Sequence, residues 1–155
     1  MELSQDEANN LIMIEKKRNG NQSYMFPSPG THTVVPLLSL DGTIEFTLNF
    51  YHAIKKRNKI QAAELYEKGV LLLRMCIGGK NHINPQGSAP LSLFSALEGR
   101  DTGENHLHYY VEGWGTSWSI PLDIDPNLFY PLTRLSYYFM DLCHVVDKPV
   151  MIGGL

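Results

Sequence analysis

His82, His106 and His108 carry the densest chemical signal in the chain. His106 and His108 stand at i and i+2 within His106-Leu107-His108-Tyr109-Tyr110-Val111-Glu112-Gly113-Trp114-Gly115-Thr116-Ser117-Trp118. Aromatic and β-branched residues dominate that segment, so it reads as a strand. Residues two apart on a strand point to the same face. His106, His108, Tyr110 and Glu112 are therefore expected in one row, with Leu107, Tyr109 and Val111 turned to the core.

Two imidazoles on one face suit two chemistries. The first is metal binding: zinc takes four nitrogen or sulfur ligands in a closed site and three plus water in a catalytic one. His82, in the loop after a neighbouring strand, is the natural third ligand, and Cys143 or His144 at the end of the last helix the fourth. No Cys-x-x-Cys knuckle is present. The second is acid–base cleavage of RNA through its 2′-hydroxyl, with Arg74 or Lys80 stabilising the developing phosphorane-like charge and Glu112 orienting a histidine. A structural reading stands beside both: hydrogen-bonded histidines that hold the loop after Gly79. His32 and His52 read as structural. Trp114 and Trp118 flank a turn, either capping the sheet or anchoring a protein partner.

The elements that carry these residues follow from local pattern. Ser4-Gln5-Asp6-Glu7 has capping-box spacing, and Ala8, Leu11 and Ile12 continue a helical face. That helix is expected to end near Asn19-Gly20, with Lys16, Lys17 and Arg18 in its last turn. Thr33 to Leu40 reads as a strand that Pro36 confines to an edge or a bulge. Asp41-Gly42 is a hairpin turn leading to the alternating strand Thr43 to Phe50. Lys55-Lys56-Arg57-Asn58-Lys59 reads as a solvated tip, with a contact patch for an acidic partner as the lesser reading. Lys68-Gly69 marks another turn before the apolar run Val70 to Ile77, a central strand, and the spacing suggests an antiparallel meander. Gly78 to Gly87 is a loop bearing His82, and residues 88–105 an excursion back to the His106 strand. Trp118 to Leu122 forms a return strand, and Asp125-Pro126 opens a helix to Cys143.

Composition sets bounds. The 155 residues suit a single domain over 1–155. At 43% hydrophobic and 19% charged, the chain is too apolar for disorder. A net charge of −3 argues against gripping nucleic acid by charge alone. No apolar run is long enough to span a membrane, and the acidic start lacks a signal core, so a cytoplasmic protein is expected. Cys76 and Cys143 then read as thiols or metal ligands, not a disulfide.

Taken together, Leu72-x-Arg74-x-x-Ile77-x-Gly79, His82-x-Asn84-Pro85-x-Gly87, His106-Leu107-His108-x-Tyr110-x-Glu112-Gly113-Trp114-Gly115-x-x-Trp118 and Pro121-Leu122 resemble an uncharacterised family of small bacterial and phage proteins. The resemblance extends to the Ser4-Gln5-Asp6-Glu7-Ala8 start, the Phe46-Thr47-Leu48 strand and Phe139-Met140-x-x-Cys143. Members usually carry Arg, an acid and Asp where this chain has Val111, Thr116 and Gln86. Those departures weaken a charge-dependent catalytic reading and leave a metal or scaffold reading intact. The resemblance implies a phage protein of the kind that includes inhibitors of bacterial defence such as anti-CRISPR proteins.

The sequence thus predicts an α+β domain: an antiparallel sheet of about five or six strands with N- and C-terminal helices packed on it. The leading expectation is a non-enzymatic phage or mobile-element protein that occupies a host protein such as a CRISPR effector. It would carry a zinc site at His82, His106, His108 and Cys143, with Trp114 and Trp118 meeting the partner. The alternative is a histidine-dependent ribonuclease, the toxin of a toxin–antitoxin pair, using His82, His106, His108, Arg74 and Glu112.

Overall fold

The computed structural model describes residues 2–55, 59–67 and 69–155. Along the chain run α1 (Gln5–Met13), β1 (Lys16–Arg18), β2 (Tyr24–Met25), β3 (His32–Ser39), β4 (Glu45–His52), β5 (Ile60–Tyr66), β6 (Val70–Ile77), β7 (His106–Val111), β8 (Gly115–Pro121), α2 (Thr133–Leu142), β9 (Val145–Asp147) and β10 (Met151–Ile152). Eight strands form one sheet in the order β8-β7-β6-β5-β4-β3-β1-β9, and β10 pairs with β2 in a small second sheet. From β8 to β1 every pairing is antiparallel, and β9 joins β1 in parallel.

This corrects the expected α+β fold with its five or six antiparallel strands. The protein is mostly sheet, the large sheet is mixed, and both helices are short. Lys16, Lys17 and Arg18 account for part of the difference. They form a strand and not a helical turn, because the chain goes extended at Ile14 and finds partners on both sides. The Lys16 side chain is fully buried, with its ammonium 3.3 Å from the Glu64 carboxylate. It donates to the carbonyls of Ile12, Ile14 and Cys143. A helix end would leave that lysine in water. The C-terminal helix is also shorter than its sequence pattern suggests. Asp125 caps only a short 3-10 turn over Pro126–Phe129, and Pro131, which has no N–H to donate, separates it from α2.

Other elements match their sequence signals. Ser4 and Glu7 form both bonds of the capping box, and Ala8, Leu11 and Ile12 are buried. Asp41-Gly42 turns β3 into β4, with the Asp41 carboxylate accepting from Ser39 and Thr43. Lys56, Arg57, Asn58 and Lys68 lie outside the described residues. No helix is long and apolar enough to cross a membrane among the described residues.

The sheet has two unlike faces. Val35, Leu37, Phe46, Leu48, Phe50, Ile60, Ala62, Leu73, Met75, Ile77 and Leu107 lie on one face and form the main core with both helices. The ring of Phe50 meets that of Phe139 of α2 edge to face, centroids 6.2 Å apart. Among the described residues the opposite face carries no helix. Cross-strand register aligns His32, Tyr51, Gln61, Cys76 and His106 along it in one row, and Val34, Asn49, Ala63, Arg74 and His108 in the next.

A candidate metal centre

The two rows bring Cys76 and Arg74 of β6 directly opposite His106 and His108 of β7. Alternation along each strand puts all four side chains on the helix-free face. The loop after β6 then folds back over that face and delivers His82. Asn84 anchors the loop by imitating a strand residue: its side-chain amide accepts from Ser119 N–H at 2.8 Å and donates to the Ser119 carbonyl at 2.9 Å. Thr102 closes the other limb, its hydroxyl 2.6 Å from that of Ser119. Beneath this cover His106, His108 and Cys76 are 3%, 2% and 7% exposed.

One ring nitrogen of each histidine faces a backbone carbonyl. Nδ1 of His106 lies 2.7 Å from the Gly103 oxygen, Nδ1 of His108 2.8 Å from that of Thr116, and Nε2 of His82 2.9 Å from that of Ser117. A carbonyl only accepts, so each of these nitrogens carries the proton. In the neutral ring the other nitrogen keeps its lone pair: Nε2 of His106, Nε2 of His108 and Nδ1 of His82. Ring centroids are 4.8 Å apart for His106 and His108, 4.6 Å for His82 and His108, and 5.6 Å for His82 and His106.

Burial favours the uncharged rings. It lowers the pKa of His106, and it pushes that of His108 down to about 3, with the Arg74 charge adding to the effect. Burial raises the Cys76 thiol, against the pull of Arg74 and Lys59. Neutral imidazole is the form that binds a metal, whereas the thiol must first lose its proton.

Cys76, His106 and His108 each place one ligand atom within 4.8 Å of the others, a group that can hold a metal ion. In a tetrahedral zinc site, bonds of about 2.0–2.3 Å put ligand atoms roughly 3.3–3.8 Å apart. Closure therefore needs a movement of about an ångström. His82 borders the group.

The remaining predicted residues are dispersed. Cys143 lies on the other side of the sheet, buried in the main core beside Glu64 and Lys16, so Cys76 replaces it as the sulfur of this centre. The physical reason is that α2 packs on the core face, which carries its C-terminal cysteine away from the histidines. His144 leads into β9, and its carbonyl accepts from Lys16 N–H. Glu112 does not orient a histidine. The register slips between Tyr109 and Val111, so the row ends at His108. Tyr110 turns into the core, its hydroxyl bonded to Leu3, and the Glu112 carboxylate accepts from Gln5 N–H at the start of α1. Trp118 is fully buried against Phe94, whereas Trp114 is 42% exposed and stands edge-on to Trp118. Trp118 thus packs beneath the turn and offers no open surface to a partner. Lys80 lies outside the cluster, at the rim of a neighbouring cavity.

Sequence reasoning read Cys76 as a thiol or metal ligand but did not group it with the histidines, and it missed Asn84 as the residue that seats His82. Strand alternation held the first signal: Arg74 and Cys76 share a face of β6, and β6 leads directly into the loop that carries His82.

A mostly antiparallel sheet with one helix-free face and a buried Cys/His group on it defines a sheet protein with a candidate metal centre. The profile of DUF6978, a family of unknown function, matches residues 3–145, and the chain belongs to that family. No curated protein and no solved structure matches it.

Proposed function

We propose that the protein is a zinc-binding protein whose ion is held by Cys76, His106 and His108, with His82 as the fourth ligand. One observation carries this reading: the three imidazoles are each fixed through one nitrogen to a backbone carbonyl, and His106 and His108 share a small space with the Cys76 sulfur, bordered by the His82 ring. That second bond sets the tautomer and orientation a ligating histidine needs. The sulfur and nitrogen donors match zinc better than magnesium or calcium, which take oxygen ligands. Bound there, zinc would tie the His82 loop to β6 and β7 and rigidify the face that the helices leave open. In this reading the protein acts by presenting that stiffened face to a partner, which is how an inhibitor of a host defence effector would work.

Elemental analysis of untagged protein purified without added metal is the direct test. About one zinc per chain is expected, and His106→Ala should lose it. Metal-free protein whose melting temperature does not move when zinc is added would overturn the proposal.

Arg74 favours a second reading. Its guanidinium forms no ion pair among the described residues, and its Nε has no hydrogen-bond partner. A half-buried cation left without a carboxylate suits a phosphate oxygen. His82 and His106, grouped around the His108 ring that Arg74 meets, would then serve acid–base cleavage of RNA. Loss of RNA cleavage in His82→Ala, with melting temperature unchanged, would support it, and no cleavage by wild-type protein would remove it.

A further inference from the structure

Beyond the histidines, the same open face holds a cavity of about 480 Å³ that the metal centre does not use. Tyr51, Ile54, Lys55, Lys59 and Lys80 line it, and among the described residues no acidic side chain does. The Tyr51 ring is braced by His32, stacked at 4.5 Å and 27°. None of the three lysines forms an ion pair among the described residues. Register places Tyr51 beside Gln61, Gln61 beside Cys76 and Cys76 beside His106. At the usual strand spacing, Tyr51 and His106 are about 14 Å apart along one row of the sheet, with the His106 end of the row buried under the His82 loop. Arg74, with its unpartnered Nε, lies in the adjoining row.

We propose that this face binds single-stranded nucleic acid. One base enters the cavity beside Tyr51, and the backbone phosphates run along Lys59 and Lys80 toward Arg74. An aromatic ring flanked by unpaired cations is how single strands are held without sequence readout. Base pairing would hide the base that the cavity receives. The overall charge of −3 does not oppose this, because the cations are gathered on one face. The inference does not rest on the metal reading. It gives the phosphodiester reading of the same face its substrate class.

The test is fluorescence anisotropy with labelled RNA and DNA single strands of about eight nucleotides, and a duplex of the same length. The full chain is used, once in EDTA and once with zinc, and RNA and DNA are compared directly. Single strands should bind about tenfold tighter than duplex. Lys59→Ala with Lys80→Ala should weaken binding about tenfold and reduce the steepness of the log–log salt dependence by about 1.4. Tyr51→Leu should cost about fivefold or more with the salt dependence unchanged, and Tyr51→Trp should restore binding. Lys17→Ala, on distant β1, should have no effect, and thermal melts identify any variant that fails to fold. Equal affinity for duplex, wild-type binding by the double lysine variant, or no binding up to about 100 µM at about 50 mM salt would each overturn the proposal. Zinc content is measured separately, so failure here and failure of the metal reading are distinct results.

Discussion

The guanidinium of Arg74 lies 3.3 Å from Nε2 of His108 and can only donate to it. That fixes the His108 tautomer: the proton sits on Nδ1, where the Thr116 carbonyl accepts it. Nε2 is also the atom this ring would offer to a metal, so arginine and metal compete for one lone pair.

Arg74→Gln should therefore bind zinc more tightly. The substitution removes a cation from beside the ion and releases His108 Nε2. Roughly tenfold higher affinity is expected, the lower end of what changes around metal ligands produce. Competition against a chromogenic chelator measures it. Weaker binding by the variant would show that Arg74 supports the centre instead of rivalling it.

The two cysteines give opposite expectations. Cys76 belongs to the histidine group, and Cys143 lies in the core across the sheet. Cobalt-loaded wild-type protein should show thiolate-to-cobalt charge-transfer absorption. Cys76→Ser should abolish it and lower metal affinity about 100-fold or more, whereas Cys143→Ala should keep the band. A band that disappears only with Cys143 would reverse the assignment.

Local signals in this chain were readable, and distant pairing was not. The Ser4/Glu7 capping box, the Asp41-Gly42 turn and the apolar run of β6 each follow from neighbours within a few residues. Lys16 to Arg18 misled because their partners, β3 and β9, are remote in sequence, and because a buried lysine needs Glu64 to make it tolerable. The shared face of His106 and His108 followed from strand alternation. Its extension to Glu112 failed because nothing local announces the register slip after Tyr109. Cys143 looked equivalent to Cys76 only while the face that α2 covers was unknown.

Asn84 gives a test of loop delivery that leaves every proposed ligand intact. Its amide takes part in four bonds, to Ser119 N–H, the Ser119 hydroxyl, the Ser119 carbonyl and the Leu97 carbonyl. Asn84→Ala leaves the Ser119 backbone groups without these partners, which costs about 1–3 kcal/mol. It also loosens the seat of His82. Chemical denaturation should show that loss, and zinc affinity should fall about tenfold through His82 alone. Stability lost with affinity unchanged would remove His82 from the ligand set.

The pair buried on the core face makes a pH-dependent prediction that involves neither the histidines nor metal. Burial pushes Glu64 up to about 7 from its ordinary 4.5, against the opposing charge of Lys16. Between those values the folded protein holds a proton that the unfolded chain has released. Glu64 thus contributes stability that is fully present below pH 4.5 and is lost as pH rises through about 7. Lys16→Met removes the charge that holds the carboxyl down, so the pKa climbs further and the loss extends above neutrality. The variant should be only mildly destabilised near pH 5 and lose about 3–5 kcal/mol near pH 8, where its carboxylate is buried without a partner. Adding Glu64→Gln to Lys16→Met should abolish the difference between the two conditions. Urea denaturation of the three proteins at both pH values measures this, because other titrating groups cancel in the comparison. A Lys16→Met penalty that is the same at both would mean that Glu64 carries no charge in the folded protein, and that Lys16 is held by its three backbone carbonyls instead.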